Sequence, residues 1–198
     1  MTIKRKILIT LAGFLWANLA QAEDKPTNFV IFLTNDLGWG DLACYGHPVI
    51  QTPNLDKFAE QGMRFTQSYS ACGVCSPSRS SILTGRTPYR NGVWRWIPGG
   101  HKVHLRTSEV TSAELLKAKG YDTCHVGKWH LNGKFNSKDQ PQPDAHGFDH
   151  WMATQNNAAP NHRNPRNFVR NGKEVGELEG YSAPLVVEEG IRWLKEKR

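Results

Sequence analysis

Residues 28–34 read NFVIFLT, an almost unbroken apolar and β-rich run, the pattern of a strand buried on both faces. A polar, Gly-rich stretch over 35–46 follows directly. Leu55, Phe58 and Ala59 fall at helical spacing, which predicts a helix over 53–61 with Gly62 as its stop. Positions 63–69 alternate as a strand does. Residues 76–83 predict a short helix with Pro77 near its first turn, where a missing N–H costs nothing. Thr111 and Glu114 form a capping box for a helix closed by Gly120, and 121–127 predict the next strand. Residues 132–171, rich in Asn, Pro, His and Gly, predict a long loop, and 185–197 a final amphipathic helix. Strands alternating with helices indicate an α/β fold, a mostly parallel sheet flanked by helices.

The first 22 residues follow a different rule. Lys4, Arg5 and Lys6 precede a mainly apolar stretch, 7–19, that is shorter than the ~20 residues of a membrane span. Ala20-Gln21-Ala22 supplies the small residues of a cleavage site. Residues 1–22 are therefore read as a signal peptide cut after Ala22, and 23–198 as one α/β domain. That predicts a periplasmic or secreted protein with no membrane partner once cleaved.

The 198 residues are 38% apolar with seven Trp, which suits a globular domain and excludes a wholly disordered chain. Of the net charge of +7, three units belong to the leader. The modest remainder fits an anionic ligand and gives no footprint for nucleic acid, where clustering is the signal. Four cysteines, Cys44, Cys72, Cys75 and Cys124, permit disulfides in an exported protein, although a chain of this size can build its core without them. The Cys72-Gly-Val-Cys75 pair also fits a redox motif or half a zinc knuckle, but no second pair completes a zinc site.

Three polar clusters stand where strands end or a helix starts, the edge at which open α/β sheets bind ligands. In the first, Asn35-Asp36-Leu37-Gly38-Trp39-Gly40-Asp41, adjacent oxygen side chains can hold a hard cation; a plain Asp/Gly turn would read the same way. In the second, Cys75-Ser76-Pro77-Ser78-Arg79, Cys75 falls at or near a helix N-terminus and Arg79 one turn on along the same face. That arrangement suits a tetrahedral oxyanion beside a nucleophile. A buried structural Cys and a salt-bridged Arg fit the spacing equally. In the third, Gly127-Lys128-Trp129-His130, extended spacing points Lys128 and His130 the same way, a cation beside a candidate acid/base group.

Together these clusters resemble the type I sulfatases of the alkaline phosphatase superfamily. The signature Cys-x-Pro-Ser-Arg, followed by Thr-Gly, stands here as Cys75 to Arg79 with Thr84-Gly85, and the second motif as Gly127 to His130. Weaker echoes are Gly38-Trp39-Gly40-Asp41, Thr52-Pro53-Asn54-Leu55-Asp56 and His146-Gly147-Phe148-Asp149.

The resemblance implies a sulfuric ester hydrolase. Cys75 would be oxidised to Cα-formylglycine by a dedicated maturation enzyme, and the hydrated aldehyde would attack sulfur. Arg79 would hold that hydroxyl, Lys128 would bind a sulfate oxygen, and His130 would support sulfate release. Asn35, Asp36 and the oxygen derived from Cys75 would be ligands of one Ca²⁺. The family usually carries Asp where Asn35 stands, so one ligand charge is lost and weaker metal binding follows.

The family also supplies a further Asp-Asn pair, a His and a Lys from downstream. The chain is therefore expected to be an N-terminal portion with an incomplete sheet, whose activity alone is in question. The implied substrate is a sulfate ester, carbohydrate or aryl. The loop over 155–171 would meet sugar hydroxyls, and Trp94 and Trp96 would stack on a ring. A phosphatase or phosphonate hydrolase of the same superfamily, or an inactive binding fragment, are the alternatives.

Overall fold

The computed structural model describes residues 27–197, so the predicted signal peptide lies outside the described residues. Two compact units follow one another, the first ending at Pro53 and the second beginning at Asn54.

In the first unit a 3-10 turn, Ala43–Tyr45, is closed by Gly46 at φ 95°, which donates its N–H to the Ala43 carbonyl. Thr52 Oγ1 accepts from the Ala43 N–H at 3.0 Å, and His47 Nδ1 accepts from the N–H groups of Val49 and Ile50. The strand expected over 28–34 is not formed, and Phe32 is 79% exposed. An apolar run becomes a strand only where neighbouring backbones take up its N–H and C=O groups. No strand among the described residues pairs with this one.

The helices from the boundary onward are α1 (Pro53–Gln61), α2 (Cys75–Thr84), α3 (Pro88–Asn91), α4 (Ser112–Lys117) and α5 (Ser182–Glu196). The strands are β1 (Cys124–Lys128), β2 (His150–Thr154), β3 (Val169–Arg170) and β4 (Lys173–Glu174). The predicted α1, α2 and α4 are present; Leu55 and Phe58 on the apolar stripe of α1 are exposed. Thr111 and Glu114 make the reciprocal capping box, at 3.1 and 2.8 Å. The strand expected over 63–69 is absent, because Met63, Phe65 and Tyr69 find no core to face and stay exposed.

The expected loop over 132–171 is likewise corrected, since it contains β2, with Trp151, Met152, Ala153 and Thr154 buried. A strand buried on both faces lacks alternation, so four such residues among Asn, Pro and His give no periodic signal. The sheet order is β1-β2-β3-β4, with β1 and β2 parallel and the other two pairings antiparallel. The expected mostly parallel sheet is therefore a mixed one here. The return from β2 to β3 is a chain reversal, whereas parallel neighbours need a crossover, as between β1 and β2.

Val93, Ile97, Leu105, Trp129 and Leu131 are buried in the core of the second unit. Each contributes roughly 1.5–3 kcal/mol by leaving water. Helix α5 lies on the sheet, where a Cβ on Gly190 would touch Val126 at 3.5 Å. Glu189 clamps it there, receiving Arg170, Arg192 and His150 at 2.7–2.8 Å. A Cβ on Gly147, at φ 92°, would come within 2.5 Å of the Glu114 backbone nitrogen, so only glycine lets this turn reach the start of α4. The His146-Gly147-Phe148-Asp149 echo thus has a packing role.

Candidate active site

Helix α2 begins at Cys75 because Val74 is extended (φ −121°, ψ 144°) and no side chain caps the turn. Spacing of four residues puts Cys75 and Arg79 on one face. Both meet the end of β1: Lys128 Nζ lies 3.3 Å from Cys75 Sγ, and Arg79 Nη1 donates to the Lys128 carbonyl at 2.6 Å. Lys128 Nζ also reaches Asn157 Oδ1 at 3.4 Å. Two clusters that the sequence separates by some fifty positions therefore make one cationic corner around a thiol.

His130 does not continue the strand as i, i+2 spacing predicted. Its backbone turns left-handed, φ 57°, and the ring is fully buried. Nε2 donates to the Ile97 carbonyl at 3.0 Å, and Trp96 packs edge-on at 5.5 Å between centroids. A carbonyl partner requires the proton on Nε2, so the buried Nδ1, which has no partner, carries the lone pair. Burial pushes this ring down to about 4; the Ile97 bond opposes that, while the Lys128 and Arg79 charges add to it. His130 is neutral near pH 7.

The backbone of Ile97 is the hub that sequence reasoning missed. Its N–H donates to the fully buried Ser76 Oγ at 3.2 Å, and its carbonyl also receives Gln155 Nε2 at 3.3 Å. No side-chain motif betrays a role carried by backbone atoms. His125 was missed as well. Burial, then the Arg79 charge, lowers it to about 4 against a hydrogen bond to the Lys128 backbone, and its buried Nε2 has no partner. Its ring packs on Trp129 and Phe148, and its place in the alternation of β1 was the available signal.

Asn35 and Asp36 belong to the first unit, where Asn35 Nδ2 donates to Asp36 Oδ2 at 3.1 Å and Asp36 has φ 61°. A carboxylate and an amide oxygen match a hard cation in kind. Ca²⁺ takes about 6–8 oxygens, and no group of three His, Cys, Asp or Glu occurs among the described residues. These two side chains do not by themselves form a cage. Cys72, Cys75 and Cys124 are free thiols. Burial and Glu189 push Cys124 up to about 12, which makes it unreactive as a thiolate.

The sequence model of the Sulfatase family matches residues 27–198. N-acetylgalactosamine-6-sulfatase of Rattus norvegicus is 43% identical over 146 residues, 70% of this chain and 27% of that protein. Arylsulfatase A of Homo sapiens is 47% identical over 135 residues, 66% of this chain and 25% of that protein. The chain thus spans about a quarter of the length of these relatives. The solved structure of Ps i-CgsB in complex with k-i-k-neocarrahexaose superposes with TM-score 0.74 at 26% identity, covering 82% of this chain and 40% of that one. A family match running through nearly every described residue, joined by relatives above 40% identity, establishes that this chain belongs to the sulfatase family.

Proposed function

We propose that this chain carries the nucleophile end of a sulfuric ester hydrolase, with Cys75 as the precursor of formylglycine. The observation that carries the reading is the meeting of Cys75 Sγ and Lys128 Nζ at 3.3 Å, with Arg79 tied to the same residue. Maturation takes the Cys75 side-chain carbon to the aldehyde level at the expense of an external oxidant such as dioxygen, with the sulfur leaving as sulfide. The aldehyde, once hydrated, supplies a nucleophile that can release sulfate by internal elimination. Part of the remaining work falls to this chain's own side chains.

Lys128 neutralises negative charge on the sulfate oxygens as the ester bond breaks. Arg79 fixes the end of β1 against α2 and holds the hydroxyl at position 75. His130, neutral with a free Nδ1, accepts a proton from that hydroxyl or positions it. Asn35 and Asp36 contribute two of the oxygens of a Ca²⁺ site that further oxygens complete.

Substrates follow the relatives, whose names include a carbohydrate sulfatase and an arylsulfatase. The neighbour solved with k-i-k-neocarrahexaose supports a sulfated glycan. The leader over 1–22 supports export to the periplasm or beyond.

Mass spectrometry of the tryptic peptide spanning 65–79, after coexpression with a maturation enzyme, tests the reading. A peptide that has lost sulfur and reacts as an aldehyde is expected. A thiol at Cys75 that persists under those conditions overturns it. Aryl sulfate against aryl phosphate turnover then separates a sulfatase from a phosphatase.

A further inference from the structure

Lys128 stands in register with Thr154 at the carboxyl ends of β1 and β2, and the adjoining Ala153 faces Val169, which faces Glu174. Val169 is therefore two strand spacings, about 10 Å, from β1. A cavity of about 450 Å³ opens at this edge, lined by Gln155 just beyond β2, by Phe168 and Glu174, and by Phe135 and Asn136 of the preceding loop. That volume is in the range of small-ligand sites.

Two hydrogen-bond paths join this cavity to the cationic corner. Gln155 Nε2 donates to the Ile97 carbonyl that also holds His130. Asn167, another lining residue, donates to the Asn157 carbonyl, and the Asn157 side chain meets Lys128.

The chemistry of the walls differs from that of the corner. The Asn136 amide offers both donor and acceptor beside aromatic carbon from Phe135 and Phe168, while Gln155 spends its N–H groups on the Ile97 and Asn132 carbonyls and presents its Oε1 as an acceptor. Arg166 also lines the cavity, but it is paired with Glu177 at 2.9 Å, and Glu174 adds a carboxylate. With its cation matched, the cavity suits hydroxyl groups and disfavours a second sulfate.

We propose that this cavity binds an uncharged sugar residue of an oligosaccharide whose sulfated residue lies at Lys128, so that the substrate is a glycan chain and not a lone sulfated ring. The inference rests on the sulfatase reading for the place of the sulfated residue.

The test is a titration of isotope-labelled chain with three probes, followed by the shifts of its backbone amides. The probes are a sulfated galactan tetrasaccharide, the same tetrasaccharide desulfated, and a galactose sulfate monosaccharide. The desulfated tetrasaccharide is expected to shift Gly133, Asn136 and Asn167, and the sulfated one to bind at least about tenfold more tightly than the monosaccharide. Asn136→Gly keeps the left-handed backbone of that residue (φ 54°) while removing its amide. This variant should bind the desulfated probe about fivefold more weakly, as loss of one hydrogen bond implies, with monosaccharide affinity unchanged.

Absence of shifts around the cavity with the desulfated tetrasaccharide, or equal affinity for tetrasaccharide and monosaccharide, overturns the proposal. Failure of the sulfatase reading shows separately, as sulfated probes that leave Lys128 and His130 unmoved.

Discussion

Ser76 and His130 meet on the backbone of a single residue, the first accepting the Ile97 N–H and the second donating to the Ile97 carbonyl. The residue following the thiol in α2 thereby fixes the height at which the imidazole sits. Both side chains are fully buried, so neither bond is exchanged for water.

Ser76→Ala removes the acceptor and leaves a buried N–H unsatisfied. The expected loss is about 1–3 kcal/mol of stability in urea unfolding. Nitrogen-15 spectra of the histidines should also show His130 departing from a pure Nε2–H tautomer. A variant with unchanged stability and an unchanged His130 signal would show that Ile97 is held by other contacts.

Lys128→Met keeps the length of the side chain and removes its charge. Charge-assisted hydrogen bonds contribute about 1.5–3 kcal/mol, so affinity for inorganic sulfate should fall about tenfold or more, measured by calorimetry. Conversion of Cys75 to the aldehyde should persist, because that step reads the local motif over 75–79. Loss of conversion together with loss of sulfate affinity would instead point to a disturbed α2.

The sequence made the second unit more legible than the first. Thr111 with Glu114, and the Cys75–Arg79 motif, are local signals, and the helices they announce are present. Residues 28–34 satisfied a local rule equally well and formed no strand, because a buried strand is specified by its neighbours and not by its own pattern. At the site, the Cys75–Lys128 contact was suggested by resemblance, while Ile97 acts through its own backbone and the Gln155 side chain donates to the backbone carbonyls of Ile97 and Asn132, partners that carry no residue code. Strand β2 stayed hidden because its burial on both faces erased the alternation that would have marked it.

Asn35→Asp restores a second carboxylate beside Asp36. Ligand charge sets Ca²⁺ affinity, so a chelator titration should show the variant holding Ca²⁺ more tightly, by about tenfold. Equal retention by both proteins would mean that the amide oxygen serves as well as the carboxylate, or that neither residue is a ligand.

Acid stability follows from buried imidazoles, His125 and His130 foremost, with His146 also lowered by its burial. His125 and His130 ionise near 6.5 when exposed and near 4 in the folded chain, burial being the main cause for each. Above pH 6.5 both are neutral whether folded or unfolded, and the fold keeps its full stability. Between 6.5 and 4 the unfolded chain takes up protons that the folded chain refuses, so stability falls with pH by up to about 1.4 kcal/mol per unit for each ring. Glu189, held near 2 by Arg170, Arg192 and His150 against its burial, adds its own loss only below about 4.5. Urea midpoints measured at pH 7.5, 6 and 5 should therefore decline before any carboxylate titrates. His125→Phe, which removes one of these titrating rings together with its unsatisfied nitrogen and its hydrogen bond to the Lys128 backbone, should lessen that decline. A midpoint flat from 7.5 to 5 would mean that water reaches both rings.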